Sequence, residues 1–246
     1  MVCIGLAGTA AGAINTMVGS GTLITFPVLL AFGYAPVTAN VSNTIGLVPG
    51  SASGAWGYRR ELSGQGRRAA RLGVASVLGG ITGAALLLVL PASTFADIVP
   101  VFIGIALVLI VLQPRLQRKL AHRPSGAAGR FRVLVPAAVY VAGVYGGYFG
   151  AAQGILLLGI LGTTLPQDLQ RTNALKNVLA GLVNAVAGVY FIFAASVAWV
   201  PAAIIAASSV LGAQLGARYG QRLSPATLRA AIVVVGVVAI VNLLTN

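Results

Sequence analysis

Apolar residues gather into runs of bilayer-crossing size, separated by short polar or charged turns. A helical crossing needs roughly 20 predominantly apolar residues. Runs near that length are predicted at about 37–58, 70–90, 95–112, 173–196, 198–218 and 226–244. Two further stretches, 2–32 and 133–163, are too long for one straight crossing. Both carry glycines in the middle: Gly12, Gly19 and Gly21 in the first, Gly146, Gly147, Gly150 and Gly154 in the second. Glycine at this density lowers helix propensity, so each stretch is predicted to form two half-helices around an unwound point.

The polar positions inside these runs have a pattern of their own. Asn173, Lys176, Asn177 and Asn184 open the run at 173, and residues three, four and seven apart share one helix face. Polar groups in a bilayer are costly and usually mark a pathway or a binding site. Sliding the chain by 133 positions aligns Asn40 with Asn173, Asn43 with Lys176, Thr44 with Asn177 and Ser51 with Asn184. Sliding it by 135 aligns Gly12 with Gly147 and Gly19 with Gly154. The polar coincidences weigh more, because chance glycine matches are common in a glycine-rich chain. The wet face thus occurs twice, as expected of a two-repeat transporter whose substrate sits at the repeat interface.

Composition places the chain in the membrane: 58% of its 246 residues are hydrophobic, 8% are charged, and the mean hydropathy is +0.94. Sixteen Lys and Arg face three Asp and Glu. Nucleic-acid binding is excluded, because the basic residues lie between apolar runs and not along an amphipathic element. They fall in four groups, within or beside 59–71, 113–132, 164–172 and 218–229, and the positive-inside rule makes all four cytoplasmic. Stretch 133–163 then begins and ends inside, as a re-entrant hairpin does. The run ending at Arg59 finishes inside and its counterpart ending near Ala195 finishes outside, so the halves are inverted. The fold class expected is an all-α polytopic membrane protein of two inverted repeats, each a glycine-broken, re-entrant segment plus three transmembrane helices. The first repeat covers 1–112, a basic cytoplasmic linker 113–131 and the second repeat 132–246. The linker's charge suits anionic headgroups, and Ser224 with Pro225 fits an N-cap and first helical position. The N-terminal run lacks a basic n-region and reads as part of the body, not as a signal peptide.

Enzymatic chemistry is not expected. Cys3 and His122 are lone residues and build no metal site or catalytic pair unaided. Glu61, Asp97 and Asp168 fall at loops or span edges, so no cofactor and no buried carboxylate coupling is implied.

The stretch from Gly12 through Gly19-Ser-Gly21-Thr to Pro27, together with Asp168-Leu-Gln-Arg-Thr-Asn-Ala-Leu-Lys-Asn177 followed by Asn184, resembles the TauE/SafE sulfite exporter family of membrane transporters. The similarity covers nearly the whole length and both repeats. Family members often carry a denser glycine run where this chain has Gly19 to Thr22, which bears on the polar groups that meet the ligand. The resemblance implies export of small sulfur-containing anions, sulfite, thiosulfate or organosulfonates, across a prokaryotic plasma (inner) membrane. The partners expected are that anion and the lipid bilayer, with a homo-oligomer left open.

Candidate substrate-binding residues follow from half-helix N-termini, whose unpaired N–H groups and positive dipole end favour an anion. They are Gly19, Ser20, Gly21 and Thr22 at one break and Gln153 and Gly154 at the other; the competing reading is close helix packing. Lys176 offers a full charge and three donors to an oxyanion, or snorkels to the interface. Asn40, Asn43, Thr44, Asn173, Asn177 and Asn184, with Ser51, either hydrogen-bond substrate oxygens or tie helices together at about 0.6 kcal/mol per bond. Tyr140, Tyr145, Tyr148 and Trp56 are assigned to packing or interfacial belts. Alternating access by the two repeats is the expected mechanism, with an anion channel as the alternative.

Overall fold

A computed structural model describes residues 1–121, 134–165, 167–219 and 225–245. Helices and short turns account for all of them. In chain order the helices are α1 (Val2–Met17), α2 (Thr22–Ala31), α3 (Pro36–Gly57), α4 (Gly66–Val89), α5 (Ala92–Ala121), α6 (Leu134–Tyr148), α7 (Gln153–Thr164), α8 (Leu169–Ala194), α9 (Trp199–Tyr219) and α10 (Pro225–Thr245). Among the described residues four helices, α4, α5, α8 and α9, are long and apolar enough to cross a membrane. The six predicted runs fall on α3, α4, α5, α8, α9 and α10. The two long stretches are each broken into a pair, α1 with α2 and α6 with α7. Helix α5 extends to Ala121 because Arg115 to Ala121 is a run of strong helix formers; part of the predicted linker is therefore helical. The rest of it, 122–131, lies outside the described residues, as do Pro166 and Ser224.

Both breaks use one device. At the first, the N–H groups of Val18 and Gly19 both donate to the Ile14 carbonyl, and Gly19 has φ +87°. At the second, Phe149 and Gly150 both donate to the Tyr145 carbonyl, and Gly150 has φ +79°. A left-handed glycine after the last helical turn ends a helix without a Cβ penalty. By this criterion Gly19 corresponds to Gly150, not to Gly154 as the shift of 135 paired them. The chain then turns back. Gly21 backs onto α1, where a Cβ would lie 2.5 Å from the Ala11 carbonyl oxygen, and the Gln153 side chain fills the space over Gly146. The Tyr145 hydroxyl pins the second turn by donating to the Ala151 carbonyl, 2.5 Å away.

Packing is by backbone approach at small residues, the usual means of helix association in lipid. Helix α1 lies along α9: a Cβ on Gly12 would stand 2.1 Å from the Ser209 carbonyl oxygen, and one on Gly212 would stand 1.9 Å from that of Thr9. Helix α6 lies along α4 in the same manner, with Gly83 against the Val144 carbonyl and Gly147 against that of Gly80. Helices α3 and α8 form the centre between these pairs, touching α9 and α4 respectively and each other. At one end of the bundle the turn after α3 meets the turn before α8. Arg171 donates to the Ser63 carbonyl at 2.8 Å, and Arg68 to Gln167 Oε1 at 2.8 Å.

Candidate functional site

The two breaks meet at the heart of the bundle. The Gly154 N–H donates to the Gly19 carbonyl at 3.1 Å, and neither residue has room for a side chain: a Cβ on Gly19 would lie 2.4 Å from Gly154 Cα, and one on Gly154 2.5 Å from Gly19 Cα. Gly154 thus spends its own donor on the opposite break. In the first break the N–H groups of Ser20, Gly21 and Thr22 have no partner among the described residues. These are the orphan donors that any helix N-terminus leaves over. Beside them Ser20 Oγ is buried and unpartnered, and on the other break so is Gln153 Nε2.

Around this contact α3 and α8 contribute the polar faces predicted for them. On α3, Asn40 donates to the Tyr148 carbonyl at 2.9 Å, at the end of α6, and its own oxygen is left unpartnered. Asn43 donates to Thr22 Oγ1 at 3.2 Å and accepts from the Thr25 hydroxyl, so it fastens the first turn of α2. Thr44 is buried one position on. On α8, Asn173 and Asn177 donate to the Thr16 carbonyl at 3.3 and 3.2 Å. Asn184 lies further along, donating to Ser51 Oγ at 3.1 Å, where Asn15 also donates at 3.4 Å. Asn184 and Ser51, which the shift of 133 places at equivalent positions, therefore hold each other.

Lys176 is 0% exposed. It does not snorkel; its ammonium donates to the carbonyls of Asn15 at 3.1 Å and Thr16 at 3.2 Å. Those carbonyls belong to the last turn of α1, which has no intrahelical partners and carries the negative end of the helix dipole. Asn173, Lys176 and Asn177 together cap that end. Glu61, Asp97 and Asp168 are not buried; Asp168 caps α8 by accepting the Arg171 N–H at 2.8 Å.

Sequence reasoning missed Thr25, whose hydroxyl completes the hold on Asn43; its position three residues after Thr22, on the same face of a short helix, was the available signal. It also missed the carbonyls of Asn15, Thr16 and Tyr148, because backbone acceptors leave no mark in residue type. Of the four aromatics assigned to packing, Tyr145 and Tyr148 join Phe95, Phe102 and Phe149 in a cluster against the second break. Trp56 is exposed, with Arg59 lying 5.0 Å over its ring, and Tyr140 meets Thr82 Oγ1 at 3.1 Å.

Comparison with known proteins bears on the whole length. The chain is 27% identical over 244 residues to a "Probable membrane transporter protein YfcA" of Escherichia coli, covering 95% of this chain and 86% of that protein. It is 27% identical over 238 residues to a "Probable membrane transporter protein ORF9" of a Sinorhizobium species, covering 96% and 89%. A "Probable membrane transporter protein" of Haemophilus influenzae is 25% identical over 223 residues, covering 89% and 83%. No solved structure matches. The family described as "Sulfite exporter TauE/SafE" matches residues 4–243, and the chain belongs to that family of membrane transporters.

Proposed function

We propose that this protein exports small sulfur-containing anions, sulfite, thiosulfate or organosulfonates, and that the anion binds where the two breaks meet. The observation that carries this reading is the set of buried donors without partners: the N–H groups of Ser20, Gly21 and Thr22, Ser20 Oγ and Gln153 Nε2. A buried unsatisfied donor costs about 1–3 kcal/mol, a cost that an oxyanion with several acceptor oxygens relieves. The dipole of α2 adds a positive potential at the same point. Lys176, engaged with α1, acts on the anion through its charge. Asn43 positions the α2 N-terminus through Thr22 and Thr25, whereas Asn184 serves helix packing. An inside-negative potential drives anions outward by about 2.3 kcal/mol per charge per 100 mV.

The halves are read as inverted repeats. Three observations support this: the matching break geometry, the polar correspondence between α3 and α8, and the pairing of α1 with α9 as α6 pairs with α4. The turns at 58–65 and 167–171, which share one end of the bundle, are then cytoplasmic together with the other basic segments, in a prokaryotic inner membrane. The backbone contact between Gly19 and Gly154 argues for alternating access over an open channel.

The test is flux of radiolabelled sulfite, thiosulfate, methanesulfonate and sulfate from proteoliposomes, with Ser20→Ala as the variant. Saturable, counter-transported efflux of at least one of the first three is expected, with KM raised several-fold in Ser20→Ala. Unsaturable currents, or a Ser20→Ala variant with unchanged KM and rate, overturn the assignment.

A further inference from the structure

A fully buried ammonium that touches backbone carbonyls at a broken helix has the surroundings of a bound cation. In secondary transporters, carbonyls at unwound points and half-helix C-terminal ends are where a free Na⁺ is coordinated. Here the last turn of α1 presents the Asn15 and Thr16 carbonyls, and Lys176 Nζ sits 3.1 and 3.2 Å from them. Asn173, whose amide also reaches Thr16, keeps an unpartnered oxygen in the same buried corner. We propose that the C-terminal end of α1 is a monovalent-cation site, filled in this chain by the ammonium of Lys176, so that the transporter carries its cation covalently and takes none from solution.

The second half supplies an internal control. At the end of α6, Asn40 donates to the Tyr148 carbonyl as Asn173 does to that of Thr16. The residue matching Lys176 there is Asn43, which turns to Thr22 and Thr25 on α2. One helix end is therefore capped by neutral amides alone and the other by amides plus a charge. A lysine needed only for its volume would be replaceable by an apolar side chain of similar shape, and one needed only as a hydrogen-bond donor by an uncharged hydroxyl reaching the same carbonyls. A lysine standing in for a cation would be replaceable by neither.

The inference builds on the breaks as the centre of transport, but its readout is thermal unfolding of purified protein, which needs no substrate. Lys176→Ala removes the three outer side-chain carbons and the ammonium, which is the outline of n-propylammonium. Wild type, Lys176→Ala and the similarly shaped Lys176→Met are melted at constant ionic strength in sodium, potassium, choline or n-propylammonium chloride, with 1-propanol as the uncharged control. The wild type is expected to melt at one temperature in all four salts. Both variants should melt roughly 5 °C or more lower, and only Lys176→Ala should recover about half of its loss in n-propylammonium. Sodium-specific stabilisation of the wild type overturns the proposal even if neither variant can be purified. It is equally overturned by Lys176→Met melting with the wild type, or by rescue of Lys176→Ala with propanol as effective as with the amine.

Discussion

Replacing Gly154 by alanine probes the meeting of the two breaks with a single methyl group. The new Cβ would lie 2.5 Å from Gly19 Cα and 3.1 Å from the Gly19 carbonyl oxygen. Ordinary contact begins at 3.4 Å, so the breaks must part by about an ångström. Both atoms are backbone, and no flexible side chain can yield in their place. Overpacking of this kind costs about 1–3 kcal/mol, and stretching the 3.1 Å bond from the Gly154 N–H to the Gly19 carbonyl forfeits about another 0.5–1.5 kcal/mol. At roughly 2–4 °C per kcal/mol for a chain of this size, the melting temperature should fall by roughly 3–18 °C. Gly104→Ala on α5 is the control, since a Cβ there meets nothing within 4 Å. The assay is thermal unfolding in detergent, paired with sulfite efflux from vesicles. A Gly154→Ala protein that melts within a degree of the wild type and transports equally well would refute the contact.

Ser51→Ala removes the acceptor shared by Asn184 and Asn15. It should lower stability by about 0.6–1.7 kcal/mol while leaving the anion's KM unchanged; a raised KM would return Asn184 to the binding site. Asn43→Ala unfastens the first turn of α2 and should raise KM several-fold with a smaller effect on melting, measured by the same pair of assays. For orientation, native Cys3 is first replaced by Ser. Gln167→Cys should then resist a membrane-impermeant thiol reagent added to intact cells, whereas Phe32→Cys, half-exposed at the far end of α2, should react.

The apolar runs and glycine clusters were enough to place the helices, because the requirement for some twenty apolar residues per crossing leaves little latitude. The 133-residue echo likewise brought out the polar faces of α3 and α8, which meet each other at Ser51 and Asn184 and otherwise turn to the two breaks. What the sequence hid was chemistry made by the backbone. Nothing in residue type distinguishes Gly150, which ends a helix with positive φ, from Gly154, which keeps two chains close, so the glycine alignment slipped by four. Lys176 reads as an open-ended cation until the end of α1 is placed beside it, and that placement depends on a turn whose direction is set by the left-handed Gly19.

The exchange of partners between the halves has a consequence for how the protein is made. During synthesis α4 meets its companion α6 as soon as the next few segments are inserted. Helix α1 emerges well before α9, which carries the surface that takes its glycine face, along Ser208, Ser209 and Gly212. While α2 to α8 are being made α1 therefore waits in lipid with Gly8 and Gly12 uncovered, and the later α9 closes the earlier helix into place. Nascent chains stopped before α9 should be held by the membrane's quality-control machinery, because only a chain that includes α9 can seat α1.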